Sequence, residues 1–575
     1  MSTATIDSDM TNTPKPDAPT RYAATSEAAR LSYDPPGPGA WSRDVDHQSA
    51  PRGVLMQELF TPNFVTGTQQ CFARYGMPLD RLDGRHVHGW FYTRAVPAGV
   101  PDTGKAPPPA PVLRVLVRLA PELRRRHRTA TETVEQARWL IDARQWADER
   151  ANWIDRIEAL LSTDLGVLDD VALTEQVRQA LILSGDMIRR HFTLVGTSVA
   201  VGRLIAKGQR WGLTPGDLVP ALRGSSPSSS ASRAPLTELA ELVADRHDLC
   251  TADDLRAVSP RAAQLVDGYL SDYGWRPLAA DVEAPTLAEH PDRLVDLVRA
   301  QRAATVRGAQ VDPFDELRQR VPAGDRSEFD RLVEEARECY ASLDDNSGIT
   351  ASTIGALRRV LLEVGRRGEQ RAALGRIDDV FNLTPEEVQL LASGGSAAAP
   401  AVLAERRQQR IAAALQPPPP VIGGPVAPPP DPSVFPGALR ELAAAVGAYL
   451  GLKFTAAPDA PRPVLTGSLT VEGQAPVLAV AVVAGTVRGR IIVSNDPADA
   501  LNRIEPGDIL VCPYTTAAHN AIFPLLGGVV TQFGGPLGHT AVMAREFDIP
   551  AAVGAGTLPL HLDGLQGELA VDLPA

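Results

Sequence analysis

Thr531-Gln532-Phe533-Gly534-Gly535-Pro536-Leu537-Gly538-His539-Thr540-Ala541-Val542-Met543-Ala544-Arg545-Glu546 is the stretch from which this chain is best read. The run Gly528-Val529-Val530-Thr531 leading into it is apolar and β-branched, and predicts a strand. A glycine-containing loop follows. The residues from Thr540 to Phe547 predict a helix that stops before Ile549-Pro550, because the residue ahead of a proline is pushed out of the helical region. His539 then falls in the first turn of that helix. Gly534, Gly535 and Gly538 let the backbone approach an anionic group closely, with Thr531 and Arg545 flanking as loop support. Free N–H groups and the dipole at a helix start favour negative charge. An imidazole presented there is placed to receive a phosphoryl group as a nucleophile. The residue pattern alone leaves a second reading open, a histidine that caps or packs. Arg545 is likewise read two ways, as a phosphate partner across a domain boundary or as the partner of a surface carboxylate.

Outward from this stretch, short β-rich runs recur at Arg488 to Val493, Asp508 to Cys512, Ala551 to Gly554 and Glu568 to Asp572. Turn signals such as Pro506-Gly507-Asp508 and Asp563-Gly564 separate them, so the end of the chain reads as a small α/β domain. Ahead of it lies a proline cluster: ten of the twenty residues from Pro417 to Pro436 are proline. Proline lacks an N–H for ladders, so this segment reads as an extended, semi-rigid arm with a reach of roughly 60 Å. Before the arm the periodicity is helical, for example Trp139, Leu140, Trp146, Trp153, Ile157, Leu160 and Leu161, and again Leu357, Val360, Leu361 and Val364. The fold class expected is multidomain, α plus α/β. Residues 1–36 form a disordered tail, 37–415 a mainly helical region, 416–437 a Pro-rich linker, and 438–575 the small domain with its core at about 485–572.

Composition removes several function classes. The 575 residues carry 57 Lys and Arg against 69 Asp and Glu, a formal net charge of −12. A nucleic-acid coat needs a basic face to displace counterions, so that class is excluded. Hydrophobic residues make up 44%, enough for packed domains. The four cysteines form no close pair, which excludes a disulfide scaffold and a Cys-based zinc site. The longest apolar run, around Ala475 to Gly485, is too short to span a bilayer as a helix, and the polar N-terminus lacks a signal-peptide core. A soluble, cytoplasmic protein is expected.

The segment from about Val487 to Asp572 resembles the swivelling phosphohistidine domain of the phosphoenolpyruvate-utilising enzymes. The matching pieces are Gly485-Thr486-Val487-Arg488-Gly489, Leu501 to Leu510, Gly528 to Thr531, Gly534-Gly535, His539 to Glu546 and Ile549 to Gly554. The resemblance implies that His539 becomes phosphorylated. One departure is Gly538, where the family often has Ser or Thr, so a hydroxyl near the phosphoryl group is missing.

The helical region resembles, more loosely, the acceptor-binding region of rifampicin phosphotransferase. The pieces are Gly39-Ala40-Trp41-Ser42-Arg43-Asp44-Val45-Asp46-His47, Tyr273-Gly274-Trp275-Arg276 and Asp378 to Thr384. Where relatives carry an Arg-Glu segment, this chain reads Ser342-Leu343-Asp344-Asp345-Asn346. No Gly-rich nucleotide loop is found, which points to a split enzyme like the two-component phenylphosphate and alkylphenol phosphate synthases. A separate ATP-grasp subunit would bind ATP with Mg²⁺ and charge His539. His539 would pass the phosphoryl group to a small hydroxyl compound, best a phenol or alkylphenol. The alternatives are an antibiotic or natural-product acceptor, or a non-catalytic regulatory protein that retains the swivelling domain.

An acceptor needs an apolar pocket and a group that orients its hydroxyl or takes its proton. His47, His191, Arg276, Asp344 and Asp345 are the acceptor-site candidates. Asp345 reads equally as the start of a turn before Asn346-Ser347-Gly348. His519 is a loop histidine near the phosphate loop. His86 and His88 alternate as in a strand, but no third ligand follows, so no metal site is expected.

Overall fold

The organising element is a 45-residue helix, Arg326–Gln370. Phe329, Leu332, Val333, Ala336, Ile354, Leu357, Val360, Leu361 and Val364 recur every three or four residues along it and are buried. Such a stripe must be covered on its whole length. Helices Arg138–Ser162, Asp170–Leu194 and Val199–Gly208 pack along it. The computed structural model describes the chain except residues 1–30, 45–47, 49, 106–107, 223–224, 226, 247, 278–280, 306–312, 417, 454–465, 495–498, 501–502, 516–518, 520–521, 557–558 and 573–575. The expected tail at 1–36 lies largely outside the described residues. Among these, no helix is long and apolar enough to cross a membrane.

The chain is mostly helical with a C-terminal α/β region, but the helical part contains a sheet that periodicity does not announce. Strands β1 (Trp41–Arg43), β2 (Leu79–Val87), β3 (Trp90–Pro97) and β4 (Val421–Ile422) form it in the order β2-β3-β1-β4. The β2–β3 turn is His88-Gly89, both in the left-handed region at φ 50° and 80°. That conformation suits glycine and is tolerated by few other residues.

The proline arm is not a free spacer. Val421 and Ile422 pair with Ser42 and Trp41, Pro420 O accepts from Arg43 N at 2.9 Å, and Pro419 O accepts from Tyr92 Oη at 2.8 Å. Prolines keep their carbonyls as acceptors while lacking N–H, so such a strand belongs at a sheet edge, where it is found. Val434 and Phe435 are then buried beside Leu439, Leu442, Ala445, Cys71 and Tyr75. The helix Gly437–Lys453, expected in the small domain, instead packs on Val199–Gly208. Gly202 permits this, since a Cβ there would lie 2.0 Å from Ala445 O. Pro227–Leu242 forms a further helix.

The small domain is a closed barrel of seven strands, from β5 (Thr466–Thr470) and β6 (Val477–Val483) through β7 (Gly485–Val493), β8 (Ile509–Cys512), β9 (Gly528–Thr531), β10 (Ala551–Val553) and β11 (Gln566–Val571). Strands β7, β8, β9 and β10 run parallel in that order, and the remaining pairings are antiparallel. The apolar run near Ala475 is thus β6. The helix His539–Phe547 covers one flank through Ala541, Met543 and Ala544.

Gly355 on the long helix tests this packing. A Cβ at Gly355 would fall 1.5 Å from Trp275 O, whereas one at Gly447 would meet nothing within 4 Å. Gly355→Ala is expected to cost about 1–3 kcal/mol and lower the thermal midpoint by circular dichroism. Gly447→Ala is expected to leave the midpoint unchanged or raise it slightly.

Candidate active site

Parallel strands β8 and β9 end side by side, and the loops leaving their carboxyl ends meet at His539. The β9 loop is built by its own hydrogen bonds. Thr531 Oγ1 donates to Phe533 O at 2.7 Å, Gly534 holds φ at +106°, and Gly538 N donates to Gly535 O at 2.8 Å. Gly538 caps the helix in an extended conformation without any side-chain acceptor. Arg545 is buried and turned back onto the loop, where its Nη1 donates to Pro536 O at 2.7 Å and Ala541 O at 3.3 Å. In this state its guanidinium braces the loop to the helix.

The β8 loop supplies the group that orients the imidazole. His539 Nδ1 lies 2.8 Å from Thr515 Oγ1, which in turn donates to Thr540 Oγ1 at 2.9 Å. A hydroxyl has one proton to give. With that proton directed to Thr540, Thr515 accepts from Nδ1–H, and Nε2 carries the lone pair. Nε2 is buried and has no hydrogen-bond partner among the described residues. The Phe523 ring meets the imidazole edge-on at a centroid distance of 6.2 Å. Burial first, then neighbouring His519, push the His539 imidazole down to about 3. The ring is therefore neutral at physiological pH, as a nucleophile must be.

The loop and helix are docked on the helical region. Leu537 joins a buried apolar cluster of the helical region that includes Val201, Leu204, Phe329 and Leu332. Val542, Arg545 and Glu546 face Val219, Leu222 and Tyr340. Arg233 Nη1 donates to Glu546 O at 3.0 Å. On the other side, the Arg43 guanidinium lies over the Phe533 ring.

Four of the acceptor-site candidates gather along one stretch of the long helix. His191 Nδ1 is 2.6 Å from Asn346 Oδ1. Arg276 lies against Gly348 and reaches Ser352 Oγ at 3.4 Å, close enough to Asp344 and Asp345 to feel their charge. Asp345 accepts from Trp146 Nε1 at 2.9 Å and pairs with Arg150 at 3.0 Å. No turn interrupts the helix at Asn346-Ser347-Gly348, so the reading of Asp345 as a turn start is corrected. Asp345 serves these partners within the helix bundle. His47 lies outside the described residues. His86 Nδ1 meets Thr61 Oγ1 at 3.1 Å, and His88 sits in the β2–β3 turn against the Tyr33 ring. His519 is buried beside His539. Among the described residues no group of three or more His, Cys, Asp or Glu side chains is placed to hold a metal ion, and no step below is routed through one. Sequence reasoning passed over Thr515 as a site residue. The signal was available in β8 and β9, since loops at the carboxyl ends of neighbouring parallel strands converge.

Residues 504–573 match the family model described as the mobile domain of PEP-utilising enzymes. Over longer stretches the chain is 27% identical to an uncharacterised protein of Mycobacterium tuberculosis, across 331 residues that cover 56% of this chain and 32% of that relative. It is 26% identical to a rifampicin phosphotransferase of Streptomyces sviceus, across 354 residues covering 56% of this chain and 35% of that relative. Around the histidine, a rifampicin phosphotransferase of a Streptomyces species is 46% identical over 74 residues, 13% of this chain and 8% of that relative. The chain spans about a third of the length of the first two relatives. The resemblance to the PEP-utilising enzymes and to rifampicin phosphotransferases therefore holds, carried most strongly by the domain that bears His539.

The Thr515 contact predicts a tautomer. Two-bond ¹⁵N–¹H spectra should show His539 with its proton on Nδ1, and Thr515→Val should shift population to Nε2–H. Losing a hydrogen bond worth about 1 kcal/mol predicts a roughly fivefold slower phosphorylation of His539 by phosphoramidate. His539 should not titrate between pH 8 and pH 5. The unfolded chain takes up this proton near pH 6.5, and the folded chain only near 3. Stability therefore falls as pH drops below about 6.5, and a His539→Gln variant should lose that part of the slope in chemical denaturation.

Proposed function

We propose that this chain is a phosphohistidine-dependent phosphotransferase component that passes a phosphoryl group from His539 to a hydroxyl of a small organic acceptor. The observation that carries the reading is the His539 imidazole: neutral, held through Nδ1 by Thr515, with no partner for Nε2 among the described residues, at the start of a helix beside a glycine loop. Each feature serves a nucleophile that gains and then loses phosphate. Thr515 fixes the ring and leaves the lone pair on Nε2. The uncapped first turn of the helix offers N–H groups to phosphoryl oxygens. Arg545 and Thr531 keep the loop closed while the charge on the histidine changes.

ATP, with its Mg²⁺, supplies the phosphoryl group and is bound by a separate ATP-grasp subunit. Nε2 is covered in the docked arrangement, so the domain leaves the helical region to be charged and returns to deliver. The helical region is the acceptor side, with Arg276 and Asp344 as the pair that orients the hydroxyl. The relatives named rifampicin phosphotransferase favour a natural-product hydroxyl as acceptor over the phenol that the split-enzyme reading suggests.

Incubating the chain with ATP, Mg²⁺ and an ATP-grasp protein encoded nearby is expected to place acid-labile phosphate on wild type and none on His539→Ala. Label on neither protein favours the non-catalytic alternative and overturns this reading. Trials of phenols and of rifamycin-type hydroxyls against the labelled chain then distinguish the two acceptor classes.

A further inference from the structure

Arg43 stands out among the arginines of the helical region. It ends β1, beside the edge strand donated by the proline arm. Its guanidinium is held between two rings, 5.6 Å from the Trp90 centroid and 5.4 Å from that of Phe533. Trp90 belongs to the helical region and Phe533 to the glycine loop that leads into His539. The Tyr514 phenol, next in the chain to the Thr515 that holds His539, lies within electrostatic reach of the same guanidinium. Most arginines here answer a carboxylate: Arg52 with Asp281, Arg94 with Asp102, Arg203 with Glu335, Arg358 with Glu289. Among the described residues, Arg43 has no carboxylate within ion-pair distance and no side-chain hydrogen bond.

A half-buried guanidinium held against ring faces, with no hydrogen bond among the described residues, keeps its N–H donors unspent, at a cost in desolvation that the rings and the more distant Asp44 charge only partly offset. Planar, permanently charged and forked, it matches the oxygens of a phosphoryl group. It also bridges the platform and the loop that leads into His539.

We propose that Arg43 binds the phosphoryl group carried on His539 when the mobile domain docks, and is a catalytic residue of the transfer step. The inference rests on the phosphohistidine reading given above. In the step, the phosphorus–Nε2 bond breaks as the bond to the acceptor oxygen forms. The electron pair returns to Nε2, and the hydroxyl proton leaves to solvent or to a base of the acceptor side. Arg43 neutralises charge on the non-bridging oxygens throughout. Before transfer the same contact makes docking selective for the charged domain, because only then does the guanidinium gain an anionic partner.

The test phosphorylates the full-length chain with potassium phosphoramidate, which needs no partner protein, and reads the phosphohistidine by ³¹P NMR. A phosphohistidine resonance in wild type but not in His539→Ala establishes the carrier; its absence in wild type overturns the phosphohistidine reading itself. Given a phosphorylated chain, Arg43→Gln is expected to move the resonance to the position found in the urea-unfolded protein. Arg43→Lys, which keeps the charge, should restore part of the folded shift, and adding salt should weaken it in wild type. If Arg43→Gln folds with a wild-type thermal midpoint and leaves the resonance where wild type has it, the Arg43 assignment is overturned while the carrier role of His539 stands. If Arg43→Gln does not fold, Arg43→Lys and the salt dependence decide: a resonance unmoved by both overturns the assignment.

Discussion

The helical region is tied together by one buried guanidinium. Arg203 bonds Glu335 of the long helix at 2.8 Å and Glu441 of the helix after the proline arm at 2.9 Å, and lies 4.3 Å from the Trp139 ring centroid. Trp139 Nε1 donates to the same Glu335 at 3.0 Å. Four helices from distant parts of the sequence thus share one charge cluster. Burying such a pair gains little net stability, but removing one partner strands the other, at about 3–5 kcal/mol. The cluster is better understood as fixing register. The surface that receives Leu537 is made by Val201, Leu204, Phe329 and Leu332, residues next to Arg203 and Glu335 on their helices. The landing site for the mobile domain therefore inherits its precision from this node.

Register matters because the proposed carrier role makes opposing demands of the small domain. On that reading its histidine is exposed to be charged and enclosed to deliver. The docked arrangement satisfies the second demand, with Nε2 covered and the imidazole neutral. The contacts that hold it are of mixed kind, among them a leucine in an apolar cluster, an arginine bonded to a backbone carbonyl and a guanidinium over an aromatic ring. An interface of that kind can release without unfolding either side, unlike the barrel, whose seven strands close on themselves.

What could be read in the sequence follows from where the information lies. Strands β7 to β11 of the barrel and the His539 helix were legible because short apolar runs, glycines and one Ile-Pro pair carry local signals, whereas β5 and β6 were not read as strands. Sheet β2–β3 was hidden, because β2 mixes Asp80, Arg81, Asp83 and Arg85 with its apolar residues and pairs across a turn rather than alternating cleanly. The long helix was interrupted on paper at Asn346-Ser347-Gly348, and continues in fact because each residue is used. Asn346 meets His191, Ser347 Oγ bonds back to Leu343 O at 2.9 Å, and Gly348 leaves room for Arg276. Tertiary contacts override turn propensity there, and no local pattern reveals them. Thr515 and Arg43 reach the site only through pairings of distant segments.

The same logic changes the reading of the proline segment. Its composition reads as an extended arm over residues 417–436, but that segment is bound at both ends, by sheet pairing at Val421–Ile422 and by burial of Val434 and Phe435. The helix Gly437–Lys453 is clamped through Glu441 and Gly202, so it cannot travel with the barrel without breaking the Arg203 cluster. The prolines act instead as a strap along the edge of the sheet, and Arg43 ends the strand with which this strap pairs.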